Sequence, residues 1–328
     1  MRRWGIGLVA LALAVLAGTP GCGPTIHSAS SAPVPPQPIE ELWQAPTDLP
    51  QRDLYHGPGG ASLTPRAEPF TFVAKDTSGY SPGFDVRDAE GIEWSVKLGP
   101  EAQTEVTTSR ILWSVGFHQP PTYYVSEWRM SGDKTVAQPG GRFRPTLSGH
   151  SVVGDWSWYD NPFMSSQEFR GLVVANLILN NWDWKTSNNK IYAIAEPGST
   201  PRRRFVVRDL GASLGKTSYP AWLKWLGLRG FGQGSRNDVD GFEQQGFILG
   251  LNEDSTVAFD YHGIHGDLVD ALSPADVRWA CELLSRLSDR QWNDAFRAGG
   301  FSPEHGARYV RKIKSKLAQG LALPHTSS

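Results

Sequence analysis

Apolar and polar residues alternate from Phe70 to Lys75, and again from Ile92 to Leu98, with the shorter run Phe84-Asp-Val-Arg87 between them. A period of two sends every other side chain to one face. The three runs therefore predict an antiparallel meander, joined by a Gly/Ser/Pro turn at Ser78 to Gly83 and a tight turn at Glu90-Gly91. The period changes at Pro100. Proline in a first turn, Glu101 beside it, and Val106, Ile111, Leu112 and Val115 ahead of Gly116 predict a helix with its stop. Thr122 to Trp128 and Thr135 to Phe143 return to strand patterning and predict a second hairpin.

Beyond Gly154 helical spacing takes over. Ser165-Ser-Gln-Glu168 reads as a capping box ahead of Phe169, Leu172, Val173, Asn176 and Leu177. Two more strands, Lys190 to Ala195 and Phe205 to Arg208, precede three further helix starts at Ser273-Pro-Ala-Asp276, Ser288-Asp-Arg-Gln291 and Ser302-Pro-Glu304. A strand-rich lobe over 66–150, a helical lobe over 151–321 and a tail at 322–328 make an α+β protein of two lobes.

The first residues belong to neither lobe. Arg2-Arg3, the apolar run Trp4 to Leu16 and the small residues ending at Gly21-Cys22 form a charged region, a short apolar core and a processing site, too short to span a bilayer. Residues 1–22 are expected to be a signal peptide of lipoprotein type. Lipid on Cys22 would hold the mature chain to a membrane, on a periplasmic or cell-surface face. The segment 23–65, rich in Pro, Ser and Ala toward its start, reads as a tether. Cys281 is then left without a disulfide partner, in an apolar helical pattern that makes it an inert buried thiol. With 32 basic against 33 acidic residues and no basic stripe, nucleic acid is a poor partner.

Polar residues at the ends of these elements fall in a telling order. Lys97 ends a strand ahead of Glu105 on the next helix; Asp183-Trp-Lys185-Thr-Ser-Asn188 follows the helix ending near Asn180; Asp209-Leu-Gly211 follows the strand ending at Arg208. The set resembles a kinase-like phosphotransferase. In that chemistry a lysine fixed by a helix glutamate holds nucleotide phosphates, a carboxylate orients the acceptor hydroxyl, and an asparagine and an aspartate hold magnesium. The resemblance assigns Lys97 and Glu105 to the nucleotide, Asp183 to catalysis, and Asn188 and Asp209 to the metal. It gives Gly211 the task of turning the backbone away from that metal.

The branch it resembles is that of HipA-type and phosphatidylinositol-kinase-like proteins, which includes secretory-pathway kinases. There the catalytic loop reads Asn-x-Asp-x-x-x-x-Asn after an Asn-rich apolar helix, as Ala175-Asn-Leu-Ile-Leu-Asn-Asn-Trp-Asp183 leads into Asn188 here. The resemblance implies ATP or another nucleotide with magnesium, and phosphoryl transfer to a hydroxyl on a protein or small molecule. The turn at Ser78 to Gly83 lacks Gly-x-Gly-x-x-Gly, Asn181-Trp182 stands where His-Arg is usual, and Glu101 competes with Glu105 as the partner of Lys97. An inactive binding lipoprotein on the same scaffold is the non-enzyme alternative.

Other patterns compete for attention. Gly211-Ala-Ser-Leu-Gly215 matches a nucleophile elbow, which would make Ser213 an esterase nucleophile served by Asp267 and His305. Asp260, His262, His265 and Asp267 have metal-like spacing, although a glycine-containing loop accounts for them. Arg202-Arg-Arg204 reads as a solvated loop before a strand, and Leu223, Trp225 and Leu226 as core packing or an apolar lid.

Overall fold

The structure is a computed structural model that describes residues 38–66, 69–76, 81–195, 198–218 and 233–325. The leader, Cys22, the first part of the tether, most of the turn before Ser81, and Leu223, Trp225 and Leu226 lie outside the described residues.

The meander forms as its alternation demands: β1 (Phe70–Asp76), β2 (Gly83–Arg87) and β3 (Glu93–Leu98) pair antiparallel in sequence order. After α1 (Glu101–Ser114), the expected second hairpin is divided. Tyr123–Val125 (β4) pairs with Gly141–Pro145 (β7), whereas Trp128–Ser131 (β5) pairs with Thr135–Gln138 (β6). Pro139, with no N–H to give a ladder, separates β6 from β7. The seven-stranded sheet runs β4-β7-β3-β2-β1-β5-β6, with β1 and β5 parallel. One face carries a core of Phe70, Val86, Trp94, Val96, Tyr123, Trp128 and Phe143. On the opposite face the register sets Lys97 beside Arg142 and Ser95 beside Arg144.

The second lobe begins with β8 (His150–Asp155), α2 (Gln167–Ile178), β9 (Asn189–Ile194) and β10 (Arg202–Val207); the three strands form a sheet of order β10-β9-β8. Ser166 caps α2 by accepting from the Phe169 amide, one residue later than the expected start, so Glu168 is not positioned to complete a box. Short pairs follow, β11 (Thr217–Ser218) with β12 (Gln233–Gly234) and β13 (Ile248–Leu251) with β14 (Val257–Phe259), flanking α3 (Val239–Gln244). Then come α4 (Gly266–Asp270), α5 (Pro274–Ser285), α6 (Asp289–Ala298) and α7 (Pro303–Leu321). Full capping boxes open α5 and α6, as their sequences require.

The tether reading fails for residues 38–65. Leu42, Leu49 and Leu54 are buried in the helical lobe's core, and Gln291 Nε2 donates to the Leu49 carbonyl at 2.6 Å. Proline and serine were spread across a segment whose few large apolar residues still find a core.

The helix α1 joins the two lobes. Ile111 and Leu112 near its C-terminal end enter the helical core, while Glu101 and Glu105 at the other end reach beneath the sheet. Nearly every residue of α1 is buried, including Thr104, Thr107, Thr108 and Arg110, so it is enclosed rather than amphipathic.

Candidate active site

The site is assembled around a lysine at the end of a strand. Lys97 Nζ lies 3.2 Å from Glu101 Oε2 and 3.1 Å from Glu105 Oε2, so the two candidate partners are both used. It also lies 2.9 Å from each carboxylate oxygen of Asp209, 112 residues away in sequence. Glu105 then pairs through its other oxygen with Arg142 Nε at 3.0 Å and with Arg144, and Glu101 pairs with Arg236. Three carboxylates thus face four basic side chains.

This pairing holds Glu105 charged in a place that would otherwise neutralise it. Burial pushes its carboxyl up, but Arg142, Lys97 and Arg144 together outweigh burial and lower it from 4.5 to about 2. Arg142 moves down to about 10, because burial and neighbouring Arg144 oppose its charge more than Glu105 and Asp209 favour it. Buried charges survive only with such compensation.

Asp209 is tied to the loop by its backbone, and the segment that follows it is tied to α1 by a side chain. Its amide and that of Arg208 both donate to the Asn188 carbonyl, at 3.2 and 2.9 Å. Thr104 Oγ1 donates to the Gly211 carbonyl at 2.8 Å, drawing α1 against the same segment. Gly211 is needed here for closeness rather than for a turn: a Cβ would stand 2.7 Å from the Cβ of Glu101.

Asp183 and Asn188 bracket a loop closed on itself. Asn188 Nδ2 donates to the Asp183 carbonyl at 2.7 Å, and Lys185 Nζ stands 3.0 Å from Asp183 Oδ1. Trp184, between them, is stacked with Trp158 at 5.0 Å and Tyr261 at 5.3 Å. Upstream, Asn180 takes a left-handed φ of 52° and its side-chain oxygen accepts from Lys316 Nζ at 2.7 Å. Lys316 is fully buried, also caps α2 through the Ile178 carbonyl at 2.8 Å, and lies 4.3 Å from the Phe242 ring. Burial pushes its ammonium well below the usual lysine range.

The structure therefore brings Lys97, Glu105 and Asp209 into direct contact, and joins Asp183 and Asn188 to Asp209 through the loop backbone. Arg142, Arg144, Arg236 and Lys316 carry no motif in the sequence, and Lys185 stands in the Asp183 to Asn188 run without an assigned role. Only the alternation of Arg142 and Arg144 on one strand face hinted at them.

Asn188 gives its amide nitrogen to the Asp183 carbonyl, which turns its oxygen the other way, and Asp209 supplies a carboxylate. This oxygen-donor pair suits magnesium, whose shell is ordinarily completed by phosphate oxygens and water. Among the described residues no three His, Cys, Asp or Glu side chains gather closely enough to hold a metal by themselves.

The competing patterns resolve differently. Ser213 is fully buried and its Oγ has no hydrogen-bond partner; Asp267 accepts from Tyr159, and the described chain after Ser213 continues into β11 rather than a helix. The nucleophile elbow is absent. His262 pairs with Asp260 at 2.9 Å, while His265 Nε2 meets the Trp184 carbonyl at 2.9 Å, so the two rings serve separate partners. Arg202–Arg204 form the start of β10 instead of a loop. Cys281 is buried and its thiol is pushed up to about 12 by burial, which leaves it inert.

The architecture is α+β, a curled strand-rich lobe beside a helical one, with lysine on the third strand and glutamate on the next helix as in protein kinases. No family model and no curated protein sequence matches the chain. Among solved structures, it is similar to the Helicobacter pylori proinflammatory kinase CtkA at 12% identity, over 78% of this chain and 97% of that one, with a TM-score of 0.46. It is similar to the Golgi casein kinase at 9% identity over 79% and 74%, TM-score 0.36. The Golgi casein kinase with Mn/ADP bound gives 9% over 79% and 73%, TM-score 0.33. These three are similarities of general architecture and do not show the HipA-type or phosphatidylinositol-kinase-like branch.

Proposed function

We propose that the chain is an exported kinase-like phosphotransferase, moving a phosphoryl group from a nucleotide to a hydroxyl acceptor. The observation that carries this reading is Lys97 held between Glu105 and Asp209, with Asn188 bound to the backbone of Asp209. Lys97 would exchange its contact with Asp209 for nucleotide phosphate while Glu105 keeps it in place. Asp183, partly exposed, would accept or orient the proton of the acceptor hydroxyl, and Lys185 beside it would hold negative charge near the transferring group. Magnesium, held by Asn188 and Asp209, would neutralise phosphate charge.

Export rests on Arg2-Arg3, the apolar run from Trp4 to Leu16, and Cys22. Among the described residues no helix is long and apolar enough to cross a membrane. Lipid on Cys22 would be the anchor. Cys22→Ser should move native protein to the soluble fraction. Intact Met1 on the purified native chain would overturn the anchoring.

The test of the site is thermal-shift titration with ATP, GTP and magnesium, beside labelled-phosphate transfer. Wild type should bind nucleotide, and Lys97→Met should weaken binding by about tenfold or more, the worth of a charge-assisted hydrogen bond. Binding without transfer to any acceptor would favour a binding module. No nucleotide binding at all removes the reading.

A further inference from the structure

Where Ser95 of β3 pairs with Arg144 of β7 lies a cavity of about 330 Å³, also lined by residues of β8, β9 and β10 and by Pro58, Gly59 and His118 to Pro121. Its size is at the lower end of small-molecule sites. Lys97, Asp183, Asn188 and Asp209 are not part of its wall.

The wall is electropositive without an acidic residue in it. Arg144, Arg204 and Arg208 all line the cavity, and no described lining residue is Asp or Glu. Arg144 is committed: it donates to Glu105 and, at 3.3 Å, to the Arg208 carbonyl. The Nε of Arg144 is nevertheless buried with no hydrogen-bond partner, and so is that of Arg208. The Arg208 guanidinium is held below the usual arginine range chiefly by the charge of Arg144, and next by burial. Two neighbouring guanidinium groups repel one another, and Tyr192, Glu105 and Asp209 offset this only in part, so Arg208 stays below its ordinary range.

The histidines do not add to this charge. Burial, assisted by Arg204 and Arg52, lowers His118 to about 4, and burial and Arg204 lower His150, so the positive character at neutral pH is the arginines' own. Leu63, Leu147, Val152 and Val206 make an apolar part of the wall, beside the polar Ser95, Gln119 and Thr146.

We propose that this cavity binds a small organic anion, a carboxylate or phosphate carried on an apolar body. The anion satisfies the buried Arg208 Nε and screens Arg208 from Arg144; the apolar body covers the leucine and valine wall. The proposal does not depend on phosphoryl transfer, since its ligand meets none of the residues assigned to that reaction.

Isothermal titration of the full chain with phenyl phosphate tests it, with benzyl alcohol as the neutral control. Phenyl phosphate should bind, benzyl alcohol at least tenfold more weakly, and Arg208→Gln should weaken phenyl phosphate by about tenfold or more. Val152→Trp fills the cavity from an exposed position that folding does not need, and should also remove binding. It carries the test if Arg208→Gln does not fold. Lys97→Met should leave phenyl phosphate binding unchanged. No binding to wild type, or binding that folded Val152→Trp and Arg208→Gln both retain, overturns the proposal.

Discussion

The Lys97 centre and the Asp183 loop are held by opposite means. Around Lys97 the contacts come from β3, α1, β7 and the segment after β10, and the Glu105 side chain is only 1% exposed. Around Asp183 the contacts are local: Asn181, Lys185 and Asn188 all lie within five residues, and the Asp183 side chain is 22% exposed. Lys97 is fixed by compensation that water does not dilute, as a proposed phosphate contact would need. In the proposed function Asp183 would exchange a proton with an arriving acceptor and would have to stay reachable; short-range bonds and a stacked tryptophan hold its loop instead.

The largest effect should come from breaking the buried half. Glu105→Ala leaves Arg142 and Arg144 without their carboxylate and should cost about 3–5 kcal/mol in denaturant unfolding. The same carboxylate gives a pH signature. Its folded value of about 2 lies below the ordinary 4.5, so its contribution is complete above 4.5 and is lost as pH falls through about 2. Glu105→Gln should flatten unfolding free energy across that window; an unchanged slope would mean the pairing is not what holds the helix.

Asp183→Ala sharpens the other half. Turnover should fall by about a hundredfold or more with nucleotide affinity nearly kept, and unfolding free energy should change by less than about 1 kcal/mol. Equal losses in binding and stability would erase the contrast between the two regions.

The smallest effect belongs to Ser213→Ala. It removes a buried hydroxyl that already lacks a partner, so stability should change by no more than about 1 kcal/mol and nucleotide binding not at all. Ester hydrolysis that vanishes in this variant would contradict the buried placement of Ser213.

Much of the fold was legible because local patterns and tertiary demands agree. Period-two alternation in β1 to β3, Pro100 and Gly116 around α1, and serine caps at Ser273 and Ser288 each fix a local conformation without help from distant residues. Where local signals were incomplete the boundaries moved. Pro139 divided one expected strand, and a few leucines drew residues 38–65 into a core despite their proline-rich neighbours.

By itself the sequence determined the α+β order of elements and the placement of Lys97, Glu105, Asp183, Asn188 and Asp209 at their ends, since spacing and capping are local properties. Only the tertiary structure decided that Glu101 and Glu105 share Lys97, and that Arg142 and Arg144 neutralise Glu105. It also decided that Ser213 is sealed from solvent, and that a lysine near the C-terminus fastens the approach to the Asp183 loop. These depend on which distant charges are removed from water together, and desolvation is a property of the packed chain that no stretch of residues carries alone.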